Sequence, residues 1–311
     1  MKIKLMASVA LAASLAFSAA ADVSDKLIEF DHPEPNKEIA SQSALEGLFG
    51  ADTPEYSGRF LQESRIEQIG RANEASVDQT LSDEGLAQIA QDGRRNYGNV
   101  RQGDFAPTAA PFRNPTNIAV IDQEGAFNNA TTYQDYLRGP QATNLVEIHQ
   151  VSSRNNGASD ANYATAEQFG SGNSTLINQD GNDYFSGAVR NDATAVQHGS
   201  DHISTINQSG ADNIAVSWQE GEGNNSLIVQ SGYGGAANSA LVGQYGNYNT
   251  AYVGQEGEGN IAEVNQYSDE NIAGIDQFGW GNEAYVTQTY GDLNASFIAQ
   301  NGTNNYASSA Q

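Results

Sequence analysis

Residues 238–288 read NSALVGQYGNY, NTAYVGQEGEG, NIAEVNQYSDE, NIAGIDQFGWG and NEAYVTQ, four eleven-residue lines and the start of a fifth. Glutamine returns at Gln244, Gln255, Gln266, Gln277 and Gln288 without a slip. Asn249, Asn260, Asn271 and Asn282 stand six residues ahead of the last four, and Ala251, Ala262, Ala273 and Ala284 stand four ahead. A unit this short cannot bury a core alone. It must stack on copies of itself, and the end of such a stack stays open to another copy.

With the Asn as position 0, positions 2, 4 and 6 are a small residue, an apolar residue and Gln. Position 4 reads Ile206, Ile228, Val242, Val253, Val264, Ile275, Val286 and Ile298 in the later units. β-Branched residues at a fixed even place are a strand signature. Positions 1, 3 and 5 vary freely, as Ile214, Val216 and Trp218 do against Glu283, Tyr285 and Thr287. A two-residue period therefore puts the constant set on one face and the variable set on the other. The residues between Gln and the next Asn carry the turn. Gly two places after Gln, at Gly210, Gly221, Gly246, Gly257, Gly279 and Gly302, supplies the positive φ that side chains disfavour. Each unit is then one strand and one tight arc, and two units make a layer with their constant faces inside. The expected fold is all-β: a cross-β solenoid of stacked strand–turn–strand repeats.

Outward from 238–288 the frame persists. It covers Asn73 to Gln79, Asn96 to Gln102, Asn117 to Gln123, Asn128 to Gln134, Asn144 to Gln150, Asn162 to Gln168, Asn173 to Gln179 and Asn191 to Gln197, and it ends at Asn305 to Gln311. Near Arg190 it stumbles, with Tyr184 and Arg190 in the Asn and Gln places. The repeat region spans 62–311, with insertions expected near 103–116, 135–143, 151–161 and 231–237. Pro107, Pro111 and Pro115 in the first insertion cannot sit in an interior strand. Residues 22–61 form an acidic, Pro-containing leader, irregular apart from a possible short helix from Asn36 to Phe49. Ahead of it, Lys2 and Lys4 precede an apolar run from Leu5 to Phe17. That pattern, with small residues at Ala19 and Ala21, predicts a signal peptide over 1–21 cleaved after Ala21. Export and self-stacking are the expectations this order gives.

Composition narrows the function. The chain has 311 residues, a formal net charge of −24 and no cysteine. Residues 191–311 hold 13 Asp and Glu and no Lys or Arg, a surface that repels phosphate backbones and excludes nucleic acid as a partner. An exported chain without cysteine takes its stability from backbone pairing rather than disulfides. No nucleophile–base pair, phosphate loop or paired catalytic carboxylates emerge, so no enzyme, cofactor or metal site is expected. His198 and His202 are four apart but fall across a repeat turn.

The unit N-x-A-x-x-x-Q-x-G-x-x-N, behind an exported N-terminus, resembles the curlin repeat of curli fibre subunits, and it covers about 250 of the 311 residues. The resemblance implies a secreted subunit that polymerises into extracellular functional amyloid. It implies export through a dedicated outer-membrane channel with accessory factors, contact with other curlin subunits, and adhesion to host or abiotic surfaces in a biofilm matrix. It also implies two kinds of subunit, a major fibre former and a minor nucleator held at the cell surface.

The residues expected to carry assembly are the stacked amides. They are Asn213, Gln219, Asn224, Gln230, Asn249, Gln255, Asn260, Gln266, Asn271, Gln277, Asn282, Gln288, Asn294, Gln300, Asn305 and Gln311. Each amide donates to the carbonyl of its copy one layer away. Regular units up to the last residue favour the fibre-forming kind over the nucleator. A reading of another class is a monomeric β-solenoid adhesin or ligand-binding protein. An ice-binding face would repeat Thr outward and a calcium β-roll needs Gly-Gly-x-Gly-x-Asp nonapeptides, and the sequence has neither pattern.

Overall fold

The computed structural model describes residues 62–79, 85–104, 117–136, 143–152, 162–181, 190–233 and 235–311. The signal segment with its cleavage after Ala21, the leader and its Asn36–Phe49 helix lie outside the described residues. The strands in chain order are β1 (Gln62–Arg71), β2 (Glu74–Asp78), β3 (Gly85–Arg94), β4 (Tyr97–Asp104), β5 (Asn117–Ala126), β6 (Asn129–Tyr136) and β7 (Asn144–Ser152). They continue as β8 (Tyr163–Ser171), β9 (Ser174–Gly181), β10 (Asp192–Ser200), β11 (Ile203–Ala211), β12 (Ile214–Glu222) and β13 (Asn225–Tyr233). The last are β14 (Ser239–Asn247), β15 (Thr250–Glu258), β16 (Ile261–Gln266), β17 (Ile272–Trp280), β18 (Glu283–Gln288), β19 (Ala295–Thr303) and β20 (Tyr306–Ala310). The described residues contain no helix.

Odd-numbered strands form one ten-stranded sheet and even-numbered strands a second. The chain changes sheet after every strand, so each circuit adds one strand to each sheet. This is the β-solenoid that the eleven-residue period predicts. Neighbours are parallel and in register, Ala240 beside Ala262, Ala284 and Ala307 in turn. Burial alternates as a period of two requires: in β7 every even place is buried and every odd place is half-buried. Ile206, Ile228, Val253 and Ile275 of the first sheet share one core with Ala193, Ala215, Ala240 and Ala262 of the second. Small residues in one sheet let the aliphatics of the other close the gap. Each fully buried Ile or Val adds about 1.5–3 kcal/mol. The outer face is not uniformly wet, since Leu86, Ile118 and Val120 are buried there beside Leu145.

One feature of the frame differs from the sequence reading. The stumble near Arg190 falls mostly on residues 182–189, outside the described residues; Arg190 itself precedes β10 with its guanidinium 4.6 Å from the Tyr163 ring centroid. The difference is β3, a unit the spacing passes over. Gly85 takes the Asn place, between Gln62 and Asn117 in register, and Ala87, Ile89 and Gln91 follow at positions 2, 4 and 6. Of the expected insertions, residues 105–116, 137–142 and 153–161 lie outside the described set. The one near 231–237 begins inside β13, which runs to Tyr233.

Candidate functional site

The constant face places its glutamines in two straight rows. In the first sheet Gln68 donates to Gln91 at 2.7 Å, and the row continues through Gln123, Gln150, Gln179 and Gln208. It goes on through Gln230, Gln255 and Gln277 to Gln300. In the second sheet the row starts with Gln79 donating to Gln102 and passes Gln134, Gln168, Gln197 and Gln219. It then runs through Gln244, Gln266 and Gln288 to Gln311. No step is missing in either row. From Gln91 and Gln102 onward each Nε2 also gives its second hydrogen to a carbonyl of the facing sheet, as Gln219 does to the Ile203 carbonyl and Gln277 to the Ile261 carbonyl, both at 2.9 Å.

That second bond fixes a direction. A backbone carbonyl can only accept, so the amino side of each amide must face it. The other hydrogen then points along the axis toward the C-terminal end, and Oε1 points toward the N-terminal end. Turning one amide over would set oxygen against oxygen twice.

The asparagines form two further rows of opposite direction. The backbone N–H of Asn249 donates to Asn224 Oδ1 and that of Asn271 to Asn249 Oδ1, each at 2.9 Å, and Asn294 continues onto Asn271. In the second sheet Asn213 donates to Asn191, Asn238 to Asn213, Asn260 to Asn238, Asn282 to Asn260, and Asn305 to Asn282. The side-chain amino groups hold the arc. Asn224 Nδ2 reaches the Glu220 carbonyl four residues back and the Gly246 carbonyl one layer on. The pattern lapses at Asn128, whose Oδ1 is buried without a partner, and at Asn249, whose Nδ2 is.

His202 occupies an Asn place and copies its bonds. Its N–H donates to Asn173 Oδ1, its Nδ1 accepts from the Asn224 N–H at 3.2 Å, and its Nε2 lies 3.1 Å from the His198 carbonyl. That pattern needs the neutral ring with hydrogen on Nε2. Burial pushes its pKa down to about 4. The two histidines therefore do not form a ligand pair, and the described residues hold no cluster of three or more metal-ligating acids, His or Cys. His149 lies between Asp122 and Glu147, 3.9 Å from each, and these carboxylates raise its pKa to about 9.

Gly210, Gly221, Gly246, Gly257, Gly279 and Gly302 all have positive φ, from 78° to 133°. At Gly257 a Cβ would sit 2.0 Å from the Gly279 carbonyl oxygen of the next layer, so backbone closeness as well as φ requires glycine. A second left-handed place, just before each Asn, escapes the sequence reading. Ala72, Arg95, Phe127, Asp212, Tyr248 and Leu293 occupy it with φ of 55–63°. That is ordinary left-handed helix geometry, which residues other than glycine can adopt, so no single residue type marks it.

Outward, rings stack across layers of the second sheet. Tyr133, Phe169, His198 and Trp218 follow one another with centroids 4.7–5.3 Å apart, and Tyr245 stacks on Tyr267. Both ends of the described stack are sheet edges. At the first, no described strand precedes β1 and β2, and Ile66 is 46% exposed where Ile89 in the next layer is 0%. At the other, β19 and β20 have none after them, and Gln311 and Tyr306 are exposed.

The chain matches the family model for the curlin associated repeat, over residues 235–267 and 257–289. No curated protein matches it.

Proposed function

We propose that this chain is a curlin-type, secreted subunit that polymerises end to end into extracellular curli-type amyloid fibres serving adhesion and biofilm matrix, a reading supported by the match of residues 235–289 to the curlin associated repeat. Its fold, a stack of repeats whose chemistry is backbone and amide pairing, supports a curlin-type structural subunit. The observation that carries the polymer reading is that both Gln rows run unbroken through the described layers and reach the edge strands of both sheets. An open edge of parallel strands is a template for another strand. Here the template includes four rows of amides, each worth about 1–3 kcal/mol if buried without a partner.

The fibre-forming role is favoured over the nucleator because regular strands continue through β20, each in register with the layer before it. Export follows from the signal segment 1–21, with release after Ala21. The resemblance supplies an outer-membrane channel, accessory factors and other curlin subunits as partners, and host or abiotic surfaces as targets. The monomeric adhesin reading needs a closed or capped end, which neither edge of the described stack has.

Electron microscopy with a dye-binding time course on the chain lacking 1–21 tests the proposal. Unbranched fibres should grow after a lag and seed fresh monomer. Single soluble molecules after long incubation at high concentration would overturn it.

A further inference from the structure

We propose that the outer face of the second sheet carries two oxidative cross-linking sites, Tyr245 with Tyr267 and Tyr285 with Tyr306. A one-electron oxidant, a peroxidase supplied with hydrogen peroxide, joins each pair through a carbon–carbon bond and locks the C-terminal layers together. Both bonds lie within one molecule, so they form whether or not copies join end to end.

Tyr245 follows Gln244 in its unit and Tyr267 follows Gln266, and those two glutamines are bonded at 3.0 Å across adjacent layers. The period of two turns both phenols outward. Their rings stack with centroids 5.3 Å apart and planes 7° apart. Gly243 makes the room. A Cβ there would lie 3.2 Å from Tyr245 Cε2, so the ring leans over bare backbone. Tyr267 is 50% exposed and Tyr245 half-buried, which opens the pair to an oxidant in solvent. The last two strands of the same sheet repeat the arrangement. Tyr285 of β18 and Tyr306 of β20 are diagonal neighbours, Tyr306 being the register partner of Glu283, with ring centroids 5.8 Å apart. Other tyrosines are engaged differently. Tyr233 donates to Glu256 and Tyr248 to Glu222, and Tyr252 is buried. Tyr290 is 83% exposed, and no ring stacks on it among the described residues.

Oxidation takes one electron and the phenolic proton from each ring of a pair. The two phenoxyl radicals couple at carbons ortho to their oxygens. Strands about 4.8 Å apart set the rings close enough for side-chain rotation to bring those carbons together. Each coupled carbon then loses its hydrogen and each oxygen regains one, which restores both aromatic rings. In sum, two phenols give one biphenol, two protons and two electrons, and these reduce one hydrogen peroxide to two waters. A carboxylate stands one layer before three of the four rings: Glu220 is the register partner of Tyr245, Glu263 of Tyr285 and Glu283 of Tyr306. Each is a base near the proton that oxidation releases. Sulfur does not compete for the oxidant. The chain has no cysteine, and both methionines, Met1 and Met6, lie ahead of the expected cleavage after Ala21. A bond between distant residues restricts the unfolded chain as a disulfide does, so each link stabilises the stack.

Peroxidase and hydrogen peroxide are applied to the folded mature chain, prepared as an equal mixture of isotope-labelled and unlabelled molecules. Mass spectrometry of the digest maps the dityrosines. The 245–267 and 285–306 links should exceed every link through Tyr290 several-fold and should join peptides of one isotope. Tyr245→Phe should remove the first link and keep the second, which also reports that the variant has folded, and Tyr285→Phe should do the reverse. Oxidation should raise the denaturant midpoint of the parent and not that of the Tyr245→Phe/Tyr285→Phe chain. Links that follow exposure, with Tyr290 foremost, would overturn the sites, as would links mainly between isotopes or the same pattern from chain oxidised in denaturant. An unchanged midpoint would overturn the lock. Both links in a chain that forms no fibres would leave the sites standing and remove only the polymer reading.

Discussion

At His202 a single ring holds a row together by imitating an amide. Nδ1 stands where Asn Oδ1 accepts, and Nε2 where Asn Nδ2 donates to the carbonyl four residues back. Protonation puts a hydrogen on Nδ1, facing the Asn224 N–H, and the bond becomes a clash of donors. Burial lowers the pKa most; the His198 and Gly221 carbonyls and the Glu222 charge favour the charged ring and the His198 charge disfavours it, and burial outweighs what favours it. Because the folded pKa, about 4, lies below the ordinary value of 6.5, the unfolded chain binds the proton more readily. Stability is therefore whole above pH 6.5 and is lost as pH falls toward 4. Between neutral pH and pH 4.5 that loss is about 2–3 kcal/mol. His202→Asn should restore the row and remove this share of the acid sensitivity. Denaturant midpoints at the two pH values, compared between the variant and the parent, measure it. His149, shifted the other way, titrates in both proteins and cancels. An equal acid loss in both would refute this assignment.

The arc between strands depends on two left-handed places that tolerate substitution very differently. Gly257 has φ of 117° and no room for a Cβ against the next layer's carbonyl, whereas Gly259 has φ of 66° and its nearest neighbour for a Cβ is Ala236 at 3.3 Å. Gly257→Ala should separate β15 from β17 and cost several kcal/mol, while Gly259→Asn should cost about 1 kcal/mol or less. Thermal unfolding of the two variants side by side decides it, and equal losses would count against the account. The same contrast explains what the sequence made readable. Gly257 stood out because only one residue type can occupy its place, and it therefore recurs. The place before each Asn holds Ala72, Phe127 or Tyr248 without severe strain, so it leaves no residue signature. Strand alternation and the buried face were legible because the same side chains recur at a period of two. β3 went unread because Gly85 stands in its Asn place. The row directions were invisible for a different reason: they arise from which carbonyl faces each amide.

Across the whole molecule charge and pairing oppose each other along one axis. Residues 191–311 contribute 13 carboxylates and no Lys or Arg, while Arg65 and Arg71 stand in the first strand. Stacked layers bring acids close, as at Asp201, whose pKa is raised by burial and by the Glu222 charge beside it. Repulsion over distances of about 10 Å is what salt at ~0.1 M screens, so added salt should shorten the lag before fibre growth. Mild acid should do the same by discharging carboxylates. Below about pH 5 the His202 ring works the other way, because its protonation weakens the fold that must stack. The lag of the parent chain should then pass through a minimum as pH falls. With His202→Asn it should keep shortening over the same range. Dye-binding kinetics on the chain lacking 1–21, at matched salt, read both curves. Identical curves would mean that His202 has no part in the stacking fold. A lag indifferent to salt and pH would mean that the acidic surface does not hold assembly back.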